Sequence, residues 1–170
     1  MPPSNFTEAQ ASAIVGFLRA KARRAAASAG NASNGRAIFN GKGNCSSCHR
    51  VDGVGARLGP DLSEIGRLRH STDIERAILD PDAVIVPSNR FVRLVTRDGT
   101  AINGRLLNQD IFTVQLIDSK EQLRSLPRAD LREFTFIDKS PMPSYRDKLS
   151  TQELTDLVSY LVSLQGGGTP

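Results

Sequence analysis

Two cysteines and a histidine are the residues whose spacing points to chemistry. Cys45 and Cys48 are the only cysteines, and His49 follows the second directly. The order C-x-x-C-H is the attachment pattern of a c-type haem. Two thiols add to the two porphyrin vinyl groups and become thioethers. Two intervening residues let both sulfurs reach one edge of the macrocycle, and the next imidazole lies under the iron as proximal ligand. The same residue types serve other chemistry. A dithiol redox pair uses C-x-x-C, but near a strand–helix junction, and no strand is predicted upstream of Cys45. Zinc needs four ligands. Cys45, Cys48, His49 and His70 reach that number on paper, without a second paired motif. A Cys45–Cys48 disulfide would close a very small loop and stabilise little.

A six-coordinate iron needs a second axial ligand. Met142 stands between Pro141 and Pro143, which restrict themselves and the residues before them and so hold the thioether in an extended loop. A methionine used as core filler is valued for flexibility, which Pro-Met-Pro denies it. His70, beside Arg69, is the competing ligand. His49 and Met142 together would leave the iron no open site, and a soft neutral thioether favours the reduced state. The expected task is then outer-sphere one-electron transfer, with the protein supplying ligands, burial and a docking surface. No nucleophile, general base or carboxylate pair forms a recognisable catalytic set, and Asp80 and Asp82 flank Pro81 at a predicted helix stop. With a displaceable sixth ligand, the same motif would serve a haem enzyme or gas sensor.

Composition bounds the rest. A chain of 170 residues is one domain, or one with an appendage. Hydrophobic residues make up 39%, aromatics 5%, and there is no Trp, which is lean for a core of this size. A flat apolar macrocycle would fill that deficit. No apolar run approaches the roughly 18–20 residues of a membrane span, and residues 1–18 lack the basic start and apolar block of a secretory signal. The net charge is +4. Its excess sits on Arg19, Lys21, Arg23 and Arg24, opposed in that segment by Glu8. The near-neutral remainder lacks the basic face of a nucleic-acid binder. The expected partner is a redox protein or a fused catalytic domain, and the oligomeric state stays open.

Several elements must position these residues. Residues 7–28 read as a helix opened by a Thr7/Gln10 capping box. Residues 28–34 are small and polar and read as a linker. A short helix follows over 35–40, then the motif, then a glycine-rich loop over 52–60. Residues 61–68 suggest one or two helical turns. Ser71 or Thr72 caps a predicted helix through Leu79, with Glu75 placed for a capping box from Thr72. The periodicity then changes to alternation. Strands are predicted over 91–97, 101–107, 111–117, 123–126 and 134–137, with Asp98-Gly99 as a hairpin turn. Ser150 and Glu153 cap a last helix carrying Leu154, Leu157, Val158, Leu161, Val162 and Leu164 as its apolar stripe. Met1-Pro2, Phe6 and Ile14–Leu18 align with Met142-Pro143, Leu149 and Leu157–Leu161. That alignment reads either as two generic amphipathic helices, since helical stripes resemble each other, or as residues 1–24 being the tail of a preceding copy of the same module.

These motifs resemble a class I cytochrome c domain. Gly35 and Phe39 match that family's N-terminal helix, which crosses the C-terminal helix, here at Leu157, Tyr160 and Leu161. Leu58-Gly59-Pro60 matches the loop whose proline carbonyl accepts Nδ1–H of the proximal histidine, which implies that Pro60 orients His49. Asp61–Gly66 and Ser140–Pro143 also match. The resemblance implies one haem c, bound through Cys45 and Cys48. His49 and Met142 would be its iron ligands, with Leu58, Ile65 and Leu68 against the group and Arg57 and Arg67 as candidates for its propionates. It implies a mainly α fold: residues 31–85 and 138–165 form the haem domain, residues 86–137 an inserted β domain of four to five strands with a faint SH3- or Sm-like barrel pattern, and residues 1–30 an N-terminal helix and linker. Met142 lies 93 residues after His49, farther than in a compact member. This arrangement is similar to haem-binding domains near the C-termini of large secreted bacterial proteins, which implies a periplasmic or otherwise extracytoplasmic module. The β domain could also be a binding module in its own right, with the haem structural.

Overall fold

The computed structural model describes residues 7–26 and 30–166. In chain order the elements are α1 (Glu8–Ala26), α2 (Ala32–Asn40), β1 (Arg50–Val51), β2 (Val54–Gly55), α3 (Ile65–Leu68), α4 (Ser71–Leu79), β3 (Phe91–Thr96), β4 (Ala101–Gln109), β5 (Thr113–Asp118), β6 (Leu123–Pro127), β7 (Leu131–Ile137) and α5 (Thr151–Ser163). No helix among the described residues is long and apolar enough to cross a membrane.

The helical part is built on the crossing of α2 and α5. Ser150 accepts the Glu153 N–H and Glu153 accepts the Ser150 N–H, closing the expected capping box. The apolar stripe of α5 then buries Leu157, Val158 and Leu161 with Phe39, Ile74, Ile78, Tyr145 and Tyr160. The helices meet where α2 has no side chain: a Cβ on Gly35 would stand 2.0 Å from the Asp156 carbonyl oxygen and 2.7 Å from Tyr160 Cβ. One turn on, Phe39 meets the Tyr160 ring edge-on with centroids 5.6 Å apart, a favoured aromatic geometry.

The expected linker ends earlier than its composition indicates. Asn31 caps α2, its side chain accepting from the Ser33 and Asn34 N–H groups. Its own N–H donates to buried Asp156 at 2.7 Å. The Thr72/Glu75 capping box does not form. α4 begins at Ser71, with the His70 carbonyl accepting from Asp73 and Ile74, so Thr72 is already inside the helix. Thr7 and Gln10 do exchange the expected cap bonds at α1. Met1-Pro2 and Phe6 of the repeat lie outside the described residues.

The chain is not mainly α, which corrects the expectation drawn from the resemblance. Its strands form a five-stranded antiparallel sheet in the order β6-β5-β4-β3-β7. The sheet has a core of its own. Val92 and Leu94, Ile102 and Leu106, Val114 and Leu116 alternate inward from three neighbouring strands, backed by Leu126, Leu131, Phe134 and Phe136. β6 and β7 are the two edges, so no ladder closes the expected barrel. Ile111 and Phe112 fall in a turn rather than in β5, because the Asp110 carboxylate accepts the Phe112 and Thr113 N–H groups, a local bond that competes with the ladder.

Gly35→Ala is expected to destabilise the protein by about 1–3 kcal/mol in chemical denaturation, since the new methyl meets backbone that cannot yield. Asp156 sets a pH dependence. The Asn31 N–H, then the Gln152 amide, hold its pKa below the usual carboxylate value. Its contribution is therefore present above the unfolded carboxylate pKa and is lost as pH falls through the lower folded one. Asp156→Asn is expected to lower stability at neutral pH and flatten the acid limb of a stability–pH curve. An unchanged acid limb would contradict this.

Candidate functional site

The motif forms a single tight turn. Cys45–Ser47 is a 3-10 segment, and the N–H groups of Cys48 and His49 both point to the Cys45 carbonyl, at 3.1 and 2.8 Å. This places Cys45 and His49 one turn apart. The chain then reverses through β1 and β2, where Asp52 and Gly53 both take positive φ, 48° and 80°, as a two-residue hairpin requires. The returning loop straps itself along the motif. Ala56 N–H donates to Ser46 O at 3.0 Å, Gly59 N–H to Cys48 O at 2.7 Å, and Leu62 N–H to Arg50 O at 2.8 Å. Gly59 permits the close approach: a Cβ there would lie 2.7 Å from the His49 ring.

The strap delivers the Pro60 carbonyl to 2.9 Å from His49 Nδ1. A carbonyl oxygen only accepts, so Nδ1 carries the proton and the lone pair is on Nε2. Burial holds the His49 pKa below the usual imidazole value. The Pro60 bond opposes that shift, and the Arg105 charge adds to it. The ring is therefore neutral at neutral pH, the state in which imidazole ligates a metal. Burial also pushes the Cys45 thiol up to about 11, the reverse of the lowered thiol of a dithiol redox site. Tyr145 donates its hydroxyl to the Gly43 carbonyl beside the motif, and Cys45 Sγ lies 3.6 Å from that same oxygen.

The far wall arrives by a different route. Met142 follows the whole sheet in sequence, yet its loop is tied to the end of α4. Asp82 accepts the Ser140 N–H at 2.6 Å, and the Ser140 hydroxyl accepts the Met142 N–H at 3.2 Å. Ser144 Oγ donates to Leu79 O at 2.7 Å, and Tyr145 N–H to Ile78 O at 3.1 Å. One cavity results, lined by Phe39, Cys45, His49, Leu62, Ile78, Met142, Tyr145, Leu157 and Leu161.

Cys48 is exposed and is not among the lining residues, and neither cysteine is in a disulfide. Leu58, Ile65 and Leu68 are not among the lining residues. Leu58 offers its carbonyl to Arg105, Ile65 packs on the helical core, and Leu68 is 63% exposed. His70 is exposed at the start of α4. Arg57 is engaged by Glu121, and Arg67 by Glu64. Among the described residues no cluster of three or more His, Cys, Asp or Glu side chains could hold a metal ion, which sets Cys45, Cys48, His49 and His70 apart from a zinc site. Sequence reasoning missed Tyr145, Ile78 and Leu62. The Tyr145/Leu149 spacing and the Ile74/Ile78 spacing in the predicted helix were the available signals for the first two.

Residues 32–111 match the cytochrome c family. No curated protein matches the chain. The matched stretch starts with α2, contains the motif, the Pro60 strap, α3 and α4, and ends in the turn between β4 and β5. It stops short of Met142 and α5, which the fold returns to the same cavity. The match supports a cytochrome c domain here, and with it haem, iron and electron transfer as the coarse function. Domains of this family are usually extracytoplasmic electron carriers. The donor set present fits a haem: the apolar cavity is lined by one imidazole with Nδ1 already engaged, one thioether and the Cys45 thiol, and Cys48 follows in the same turn.

Tyr145→Phe tests the rim of this cavity. It leaves the buried Gly43 carbonyl without its hydroxyl donor, and a loss of about 1–3 kcal/mol in urea denaturation is expected. Unchanged stability would mean that solvent replaces the phenol there.

Proposed function

We propose that the protein is a one-electron carrier holding one c-type haem covalently through Cys45 and Cys48, with His49 and Met142 as the axial pair. The observation that carries this reading is that Cys45, His49 and Met142 line the same apolar cavity, although 93 residues separate the two ligands in sequence. A bound haem supplies a ferric–ferrous couple. The chain's own residues do the remainder. Cys45 and Cys48 tether the group. Pro60 fixes the tautomer and tilt of His49 and raises its basicity as a ligand. Ser140 and Asp82 hold the loop that presents Met142. Phe39, Ile78, Leu157 and Leu161 keep the cavity apolar, which disfavours additional charge on the iron and so supports the reduced state. The module would work outside the cytoplasm, exchanging electrons with a docked redox partner or with a catalytic domain of a larger redox protein.

Optical spectra of protein made with a c-type maturation system test this. The expected result is a low-spin c-haem spectrum with the weak long-wavelength band of methionine-ligated ferric iron. Met142→Ala is expected to abolish that band and open the reduced protein to carbon monoxide. A low-spin spectrum without the band, indifferent to Met142→Ala, would move the sixth ligand to His70 or a lysine. Carbon monoxide binding by the unsubstituted protein would favour a haem enzyme or gas sensor. Absence of haem would overturn this reading.

A further inference from the structure

The sheet reaches the strap that holds His49. Arg105, on β4, donates Nε to the Leu58 carbonyl and Nη2 to the Arg57 carbonyl, both at 3.1 Å. Two donors of one rigid guanidinium thus span two consecutive peptide carbonyls, a geometry that lysine cannot reproduce. From the turn between β5 and β6, the Glu121 carboxylate accepts the Arg57 N–H at 3.2 Å, and Arg57 Nη2 reaches the Glu121 carbonyl at 3.4 Å. Glu121 holds this position in the left-handed region, at φ 60°, where a residue with a Cβ is strained and persists only when its surroundings over-determine it. Two residues beyond Leu58, the Pro60 carbonyl meets His49 Nδ1.

We propose that Arg105 and Glu121 are positioning residues for His49. By clasping residues 57 and 58, the sheet keeps the Pro60 carbonyl on Nδ1 and thereby sets the reduction potential of the iron. The inference rests on the haem reading above. A firm Nδ1–H bond to Pro60 makes the imidazole a stronger donor and favours ferric iron, which lowers the potential. The Arg105 cation acts in the other direction, because a positive charge nearby favours the ferrous state. The informative substitution therefore keeps the charge and removes the fork: Arg105→Lys. Glu121→Gly provides a second one. It removes the carboxylate while relieving the left-handed strain, so a loss of folding is not expected from it.

Measurements are made on the haem-loaded protein: midpoint potential, haem content, thermal midpoint, and hydrogen exchange of the Gly59 amide, which donates to Cys48 O. Arg105→Lys is expected to shift the potential upward; Glu121→Gly removes a carboxylate, which raises the potential by charge alone, so it is read on Gly59 exchange. Both are expected to speed Gly59 exchange by roughly tenfold or more through local opening. Haem content is expected to stay the same, and Glu121→Gly to keep its thermal midpoint. Arg93→Lys, on an exposed side chain of the same sheet that pairs with Glu133, is expected to change none of these. If both variants keep haem and Gly59 exchange unchanged, or Arg105→Lys loses stability with no change in potential, the clasp only joins the sheet to the loop and the proposal is overturned. A downward shift in Arg105→Lys also overturns it. Failure of the unsubstituted protein to bind haem would remove the haem reading itself, which separates that failure from this one.

Discussion

The last carbonyls of a helix have no partner within it. At the end of α4 that deficit holds the two walls of the cavity together. Ile78 and Leu79 accept from Tyr145 and Ser144, and Asp82, just beyond, accepts from Ser140. The chain thus leaves the helical part beside Asp80 and comes back at Ser140 to nearly the same place. A sheet of five strands with its own core can lie between these points without displacing Met142. The helical core then needs only what α5 adds, and α5 arrives in register because its capping box starts it at Thr151.

Two kinds of force divide the work in this arrangement. Apolar burial makes the cavity: Phe39, Ile78, Leu157 and Leu161 come from three helices and are buried. Hydrogen bonds to backbone carbonyls orient what faces into it. Pro60 engages His49, Gly43 engages Tyr145 and lies beside Cys45, and the carbonyls of α4 engage the methionine loop. An apolar wall with a few directional polar contacts is the usual make-up of a small-molecule or cofactor site. The clasp from the sheet belongs to the same class of contact, since it too acts on carbonyls of a loop that has no regular structure of its own.

Local signals were largely legible in the sequence. The Ser150/Glu153 and Thr7/Gln10 boxes form as their spacing indicates, and the five strands of the sheet follow the alternation of apolar residues. Where local reading failed, a longer-range or competing bond prevailed. Asn31 ends the apparent linker because Asp156, on a distant helix, accepts its N–H. Asp110 removes Ile111 and Phe112 from β5 through bonds of its own side chain. The Asp52-Gly53 hairpin was visible in principle by the same dipeptide rule applied at Asp98-Gly99, but its strands are two residues each and carry no periodicity.

What the sequence alone determined is therefore short-range: the C-x-x-C-H turn, the capped helices, the strands and the proline-flanked methionine. Each depends on residues within a few positions of one another, so spacing suffices. The tertiary structure decided which of these meet. It tied Met142 to α4, brought Tyr145 to Gly43, left Leu68 in solvent, and turned a chain expected to be mainly α into a helical part joined to a five-stranded sheet. Arg105 on the Arg57 and Leu58 carbonyls is the extreme case. Nothing about an arginine on a strand indicates which loop it will hold, because that partnership exists only once two separately packed cores face each other.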